Sequence, residues 1–195
     1  MSPKPADPAV RVALIERAAA IIATEGPARL TLRRLAGEVG TSTMAVYTHF
    51  GGMDELRREV RREGFDRLGQ HLASVRTTDD PVADVGLLGV AYYSNAVDNP
   101  NLYRAMFMDG PVDEADAEVG LDTFDQLVTA VQRCIDAGRF EPDDAVEMAT
   151  QLWAISHGVV TLQLAHLLSP ERAQSCLIVG GEHLLASFAA RTQAR

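Results

Sequence analysis

Apolar residues recur at spacings of three and four along almost the whole chain, and no stretch alternates convincingly over strand length. The pattern therefore predicts helix nearly throughout. Helix starts are legible. Asp7-Pro8, Asp80-Pro81 and Ser169-Pro170 each place a capping oxygen before a proline at the first helical position. There the missing N–H costs nothing and the side chain accepts an orphan amide. Glu141-Pro142-Asp143-Asp144 is a weaker version, with acids facing the positive end of a helix. Asn99-Pro100 and Gly110-Pro111 read as breaks. These signals predict nine helices, at about 8–24, 32–39, 42–48, 53–76, 81–98, 101–108, 112–137, 142–168 and 170–191. The fold class is all-α. The first three helices are short and closely connected, so the expected division is a domain over 1–52 and a helical bundle over 53–195.

Composition narrows the classes. Among 195 residues 47% are hydrophobic, enough to bury a core. The net charge of −9 is unevenly spread. Residues 1–70 carry 11 basic and 9 acidic side chains, whereas 71–195 carry 7 and 18. An acidic protein is a poor general binder of DNA, yet one local surface can still bind it. Cys134 and Cys176 lie too far apart in sequence to suggest a disulfide framework or a metal knuckle. The longest apolar stretch, Leu152 to Leu168, is interrupted by Ser156, His157, Gln163 and His166, so no membrane span is expected. Glu16 and Arg17 break the first apolar stretch, which argues against a signal peptide and for a cytoplasmic protein. There is no H-E-x-x-H, G-x-S-x-G or P-loop. Glu182-His183 has no partner motif. The expectation is a non-enzyme with no metal and no cofactor.

One segment carries specific information. Residues 31–50 read TLRRLAGEVGTSTMAVYTHF. Thr31 caps one short helix, and Thr41 or Ser42 caps the next. Gly40 sits between them, where the turn needs positive φ. Ala36 suits a close helix crossing, and Val46 packs back on Leu32 and Leu35. Small, glycine and branched apolar at these positions is the pattern of a helix-turn-helix. The second helix then presents Ser42, Thr43, Met44, Tyr47 and Thr48 outward. Hydroxyls suit base edges and phosphates, and Met44 suits a thymine methyl.

Residues 12–56 resemble the DNA-binding domain of the TetR family of bacterial transcriptional regulators. The resemblance rests on Ala18 to Ala23, Gly26, Leu30-Thr31-Leu32, Leu35-Ala36, Gly40, and Tyr47-x-His49-Phe50 followed by Asp54-x-Leu56. It implies an N-terminal three-helix DNA-binding domain and a C-terminal bundle for ligand binding and dimerisation. The C-terminal part is similar to a subgroup marked by Trp-x3-His-Gly, here Trp153 to Gly158, with Asn99-Pro100-x-Leu102-Tyr103-Arg104-x-Met106-Phe107 also matching. There is one departure. The family commonly carries a phosphate-contacting lysine where this chain has Met53. Helix N-terminal amides could replace that contact in part.

The resemblance makes Tyr47 a phosphate or sugar contact, against the alternative of a ring filling a crevice between helices. His49 either contacts DNA or caps its helix. Of Arg33 and Arg34, at least one meets the DNA backbone and the other is solvated. Thr31 is both cap and phosphate donor. The DNA-binding set is thus Thr31, Arg33, Arg34, Ser42, Thr43, Met44, Tyr47, Thr48 and His49. Arg57, Arg58, Arg61 and Arg62 alternate with Glu59 and Glu63 as a charge-laced solvated face. Tyr92, Tyr93, Met106, Phe107, Phe124, Trp153 and His157 have the composition of a ligand pocket, and equally of a helical core. The last two helices are the family's dimer surface. There Gly180 and Gly181 permit close approach, with Leu177, Ile178, Leu184, Leu185 and Phe188 as the apolar seam.

The expected function is a ligand-responsive homodimeric repressor that binds a palindromic double-stranded operator and is released by a small-molecule effector. The alternative is a helical interaction module with weak or lost DNA binding. A positive strip around Arg33, Arg34 and Tyr47 separates the two.

Overall fold

The computed structural model describes residues 7–108 and 114–189. Among them are nine α-helices: α1 (Pro8–Glu25), α2 (Leu32–Val39), α3 (Thr43–Phe50), α4 (Met53–Ala73), α5 (Pro81–Asp98), α6 (Pro100–Met108), α7 (Glu114–Asp136), α8 (Ala145–Leu164) and α9 (Pro170–Phe188). A 3-10 turn, Pro27–Arg29, follows α1. The only β-type pairing among these residues is an isolated bridge between Phe140 and Ala189.

The caps account for the starts. Asp7 accepts the Ala9 amide at 2.9 Å, and Ser169 accepts that of Arg172 at 3.3 Å. The start of α8 is later than expected. Asp144 accepts the amides of Val146 and Glu147, so the helix opens at Ala145 rather than at Pro142. It also ends earlier, at Leu164, because His166 adopts φ 59° and turns the chain away. The expected start of α7 at 112 lies outside the described residues.

The chain forms two compact units. The first comprises Met1–Arg67 and Asn99–Val119, the second Leu68–Asp98 and Gly120–Arg195. The division expected at residue 53 falls inside the first unit, because α4 continues past it and α6 packs on α1. In the first unit, Leu14, Ile15, Ile21, Leu35, Val46 and Leu56 are all at most 1% exposed and form one core. That core fixes α1, α2 and α3 as one body, and burial of each such side chain contributes about 1.5–3 kcal/mol. In the second unit, α5, α8 and α9 pack on one another.

Candidate nucleic-acid interface

The α2–α3 hairpin is built by its turn. Thr31 Oγ1 accepts the Arg34 amide at 3.3 Å and opens α2. Gly40, at φ 76° and ψ 31°, closes it. The Thr41 amide donates to the Ala36 carbonyl at 2.8 Å and the Gly40 amide to that of Gly37 at 3.3 Å. This is a Schellman ending, which needs a left-handed residue where glycine sits. Ser42, not Thr41, then caps α3, accepting the Ala45 amide at 3.1 Å. Leu35, Ala36 and Val46 are buried, as the helix-turn-helix pattern requires.

Burial of one face leaves the other outward. Met44 is 69% exposed and Tyr47 49%. Ser42, Thr43 and Thr48 are exposed too. Tyr47 therefore does not fill a crevice. The Thr48 hydroxyl donates to the Met44 carbonyl at 2.8 Å, which leaves its oxygen facing out as an acceptor. His49 is half-buried with its ring 5.8 Å from that of Phe50. It is not needed as a cap, because Gly51 (φ 72°) closes α3 by donating to the Tyr47 carbonyl at 2.8 Å.

The two arginines of α2 differ. Arg33 is exposed and has no hydrogen-bond or ion-pair partner among the described residues. Arg34 holds Glu38 through Nε at 2.7 Å and Glu25 through both terminal nitrogens. Arg17 pairs with the other oxygen of Glu38. The expected positive strip is thereby reduced at Arg34. Met53 is also placed differently from a phosphate-facing residue. It is partly buried and packs on the core of the first unit. The arginine-rich start of α4 is not a uniformly solvated face either. Arg58 and Arg62 pair with Glu55 and Glu59, but Arg61 is only 8% exposed. Arg57 turns to the Pro27 carbonyl at 3.1 Å.

The expected pocket residues separate into two groups. Met106 and Phe107 belong to the first unit's packing. Met106 is 2% exposed and fills the space above Gly64, where a Cβ would lie 2.5 Å from its thioether. The Phe107 ring lies tilted 5.0 Å from that of Tyr103 and edge-on 5.8 Å from that of Phe65. These two are core. In the second unit, Tyr92, Phe124, Trp153 and His157 do come together. The Trp153 indole donates to the Tyr92 oxygen at 3.2 Å, and that hydroxyl lies 3.1 Å from His157 Nδ1. Phe124 meets Trp153 edge-on at 6.0 Å. Burial pushes the His157 imidazole below the usual histidine range and keeps it neutral. Tyr93 is buried and donates to Gln163. None of these lines the cleft of about 460 Å³ in the same unit, whose walls include Leu72, Arg76, Leu88, Asp122, Asp125 and Ala130. No motif marked that cleft, because its lining is scattered over three elements.

The dimer seam also needs redrawing. Leu177 is 7% exposed and turns into its own chain. The Phe188 ring lies 5.6 Å from that of Phe140, again within the chain. Gly180 faces Ile155 of α8, where a Cβ would sit at 3.9 Å. Gly181 has open space at its Cβ direction. Leu184 and Leu185 are half-buried. The exposed apolar residues of α8 and α9 include Ile178 at 52%, Val179 at 46% and Leu162 at 42%, with Val146 and Trp153 also exposed on α8. Val179 and Leu162 were not in the expected seam.

Comparison with known proteins agrees with this geometry. Residues 14–60 match the bacterial regulatory proteins of the tetR family, and residues 86–177 match the tetracyclin repressor-like C-terminal domain. The uncharacterized HTH-type transcriptional regulator Rv0681 of Mycobacterium tuberculosis is 28% identical over 161 residues, covering 81% of this chain and 72% of its own. A solved Rhodococcus sp. RHA1 protein of unknown function superposes with TM-score 0.80 at 25% identity, over 97% of this chain and 100% of its own. The TetR family transcriptional regulator PfmR of Thermus thermophilus shares the fold, with TM-score 0.74 at 19% identity over 89% and 97% of the two chains. No helix among the described residues is long and apolar enough to cross a membrane. The helix-turn-helix near the N-terminus and the helical C-terminal domain thus have the same meaning in structure and in sequence: the chain belongs to the TetR family of bacterial transcriptional regulators.

Proposed function

We propose that this protein is a homodimeric repressor whose two α3 helices enter successive major grooves of a palindromic operator. The observation that carries the reading is the outward face of α3. A helix with no carboxylate exposes Met44, Tyr47, Thr43 and Thr48 together with its cap Ser42, beside Arg33, which has no partner among the described residues. Such a face offers apolar and hydrogen-bonding contacts to base edges, with a cation for the phosphates. Thr31 and Arg33 sit at the start of α2, the helix that crosses the backbone in this motif.

Dimerisation through α8 and α9 is supported by Leu162, Ile178 and Val179, three large apolar side chains left in water on two packed helices. Two-fold symmetry of the protein then demands two-fold symmetry of the operator. The effector site is the cleft of about 460 Å³, a volume suited to a small molecule. An effector releases the operator only if it binds the DNA-incompetent state more tightly.

A second reading has an observation behind it. Met53 packed against the core and Arg34 bound to carboxylates leave fewer phosphate contacts, as in a module with weakened DNA binding. Fluorescence anisotropy with the duplex upstream of the protein's own gene separates the two. Binding that resists an excess of random duplex supports the repressor. Binding equal to that of random duplex, for this and every neighbouring promoter, supports the second reading.

A further inference from the structure

Arg34 and Glu25 each occupy a helix end that disfavours their charge. Glu25 is the last residue of α1, where a carboxylate opposes the negative end of the dipole. Arg34 lies in the first turn of α2, where a cation opposes the positive end. The dipoles explain neither position, although Arg34 also makes an i,i+4 pair with Glu38 within α2. Together they are explained by each other. Glu25 takes the guanidinium fork through both its oxygens, one of them at 3.0 Å. Glu38 takes Nε at 2.7 Å. The hydrogen bond from Arg34 holds both carboxyls below the usual carboxylate range, so both stay ionised near neutral pH.

A carboxylate fork on arginine has the same two-point geometry that a DNA phosphate takes. Arg34 neighbours Arg33 on the helix that crosses the backbone in this motif. We propose that Glu25 is an intramolecular stand-in for a DNA phosphate: it occupies Arg34 and so limits the affinity of the helix-turn-helix for DNA. The two ligands exclude each other, because one fork accepts one bidentate partner. Glu38 contributes through Nε, and it is itself shared with Arg17. The device restrains the sequence-independent part of binding most, since phosphate contacts carry no sequence information. It therefore favours discrimination over raw affinity.

The proposal rests on the DNA-binding reading, and its test keeps the two apart. Full-length protein is titrated onto a labelled random-sequence duplex of about 30 base pairs across a series of low salt concentrations. E25Q is expected to bind about three- to tenfold more tightly, with a slope of log K against log salt steeper by about one, the signature of one added phosphate contact. E25A is expected to do the same, which shows that the introduced amide is not responsible. In an R34Q background, E25Q is expected to leave the slope unchanged. An unchanged slope for E25Q and E25A with Arg34 present overturns the proposal. So does an equal steepening in the R34Q background, which would be a through-space charge effect. If the native protein and all variants bind no duplex, the DNA-binding reading falls and the proposal falls with it.

Discussion

Two helical hairpins of this chain end their first helix in the same way and then do different things. In α2–α3 the left-handed residue is Gly40, and in α8–α9 it is His166 at φ 59°. The second turn repeats the bonds of the first. The Leu167 amide donates to the Leu162 carbonyl at 2.9 Å, and the His166 amide to that of Gln163 at 2.8 Å. Histidine carries a Cβ that this conformation disfavours by about 1–2 kcal/mol, whereas glycine does not. The outward faces differ more. The α3 face mixes hydroxyls with Met44 and Tyr47, while α8 and α9 expose Leu162, Ile178 and Val179. One surface can satisfy polar groups on a partner, and the other mainly removes apolar area from water. The same local turn thus presents two different outward faces, and under the proposed function these side chains decide which partner each face takes.

The largest effect is expected at the apolar face of α8 and α9. Ile178→Glu places a charge on the face proposed for the dimer. Light scattering should report monomer in place of dimer, and operator affinity should fall about a hundredfold or more as bivalency is lost. A dimer of unchanged stability would remove Ile178 from the interface. The next effect is at the first turn. Gly40→Val has free space at its Cβ, so its cost is backbone strain alone, about 1–2 kcal/mol or more by chemical denaturation. His166→Gly makes the opposite change at the second turn. It should raise stability by about 0.5–1 kcal/mol, the strain relieved less the entropy of glycine. The smallest effect is at His157. Its folded-state imidazole is held neutral, so the unfolded chain binds the proton more readily. Stability should be at its full value above 6.5, the ordinary histidine value, and decline as pH falls below it. Thermal midpoints should fall more steeply with acid in the native chain than in His157→Gln.

Much of this was legible in the sequence, for physical reasons. Capping is local, so Asp7, Thr31 and Ser169 announced their helices from within three residues, while the start of α3 stayed open between Thr41 and Ser42. Gly40 announced its turn because only glycine adopts that conformation freely. The turn at His166 carries no such signal, so α8 stops short of where its apolar pattern runs out. In Cys176-Leu177-Ile178-Val179 every position is apolar, so periodicity could not say that Leu177 turns inward and Ile178 outward. The Arg34–Glu25 pair spans nine residues across a turn and fits no helical spacing. The contact of Tyr92 with Trp153 spans 61 residues, and the cleft walls come from α4, α5 and α7. Such groupings are set by tertiary packing, which a single sequence does not display.

If the exposed face of α3 reads DNA, Tyr47 carries a share of the binding that its removal exposes. At 49% exposure, Tyr47→Ala should leave the thermal midpoint nearly unchanged. Anisotropy with the duplex upstream of the protein's own gene is then measured across a salt series for both chains. The account predicts binding that is salt-sensitive, resistant to random competitor and weakened by Tyr47→Ala. Equal affinity of the two proteins for that duplex, with no preference over random DNA, would contradict it.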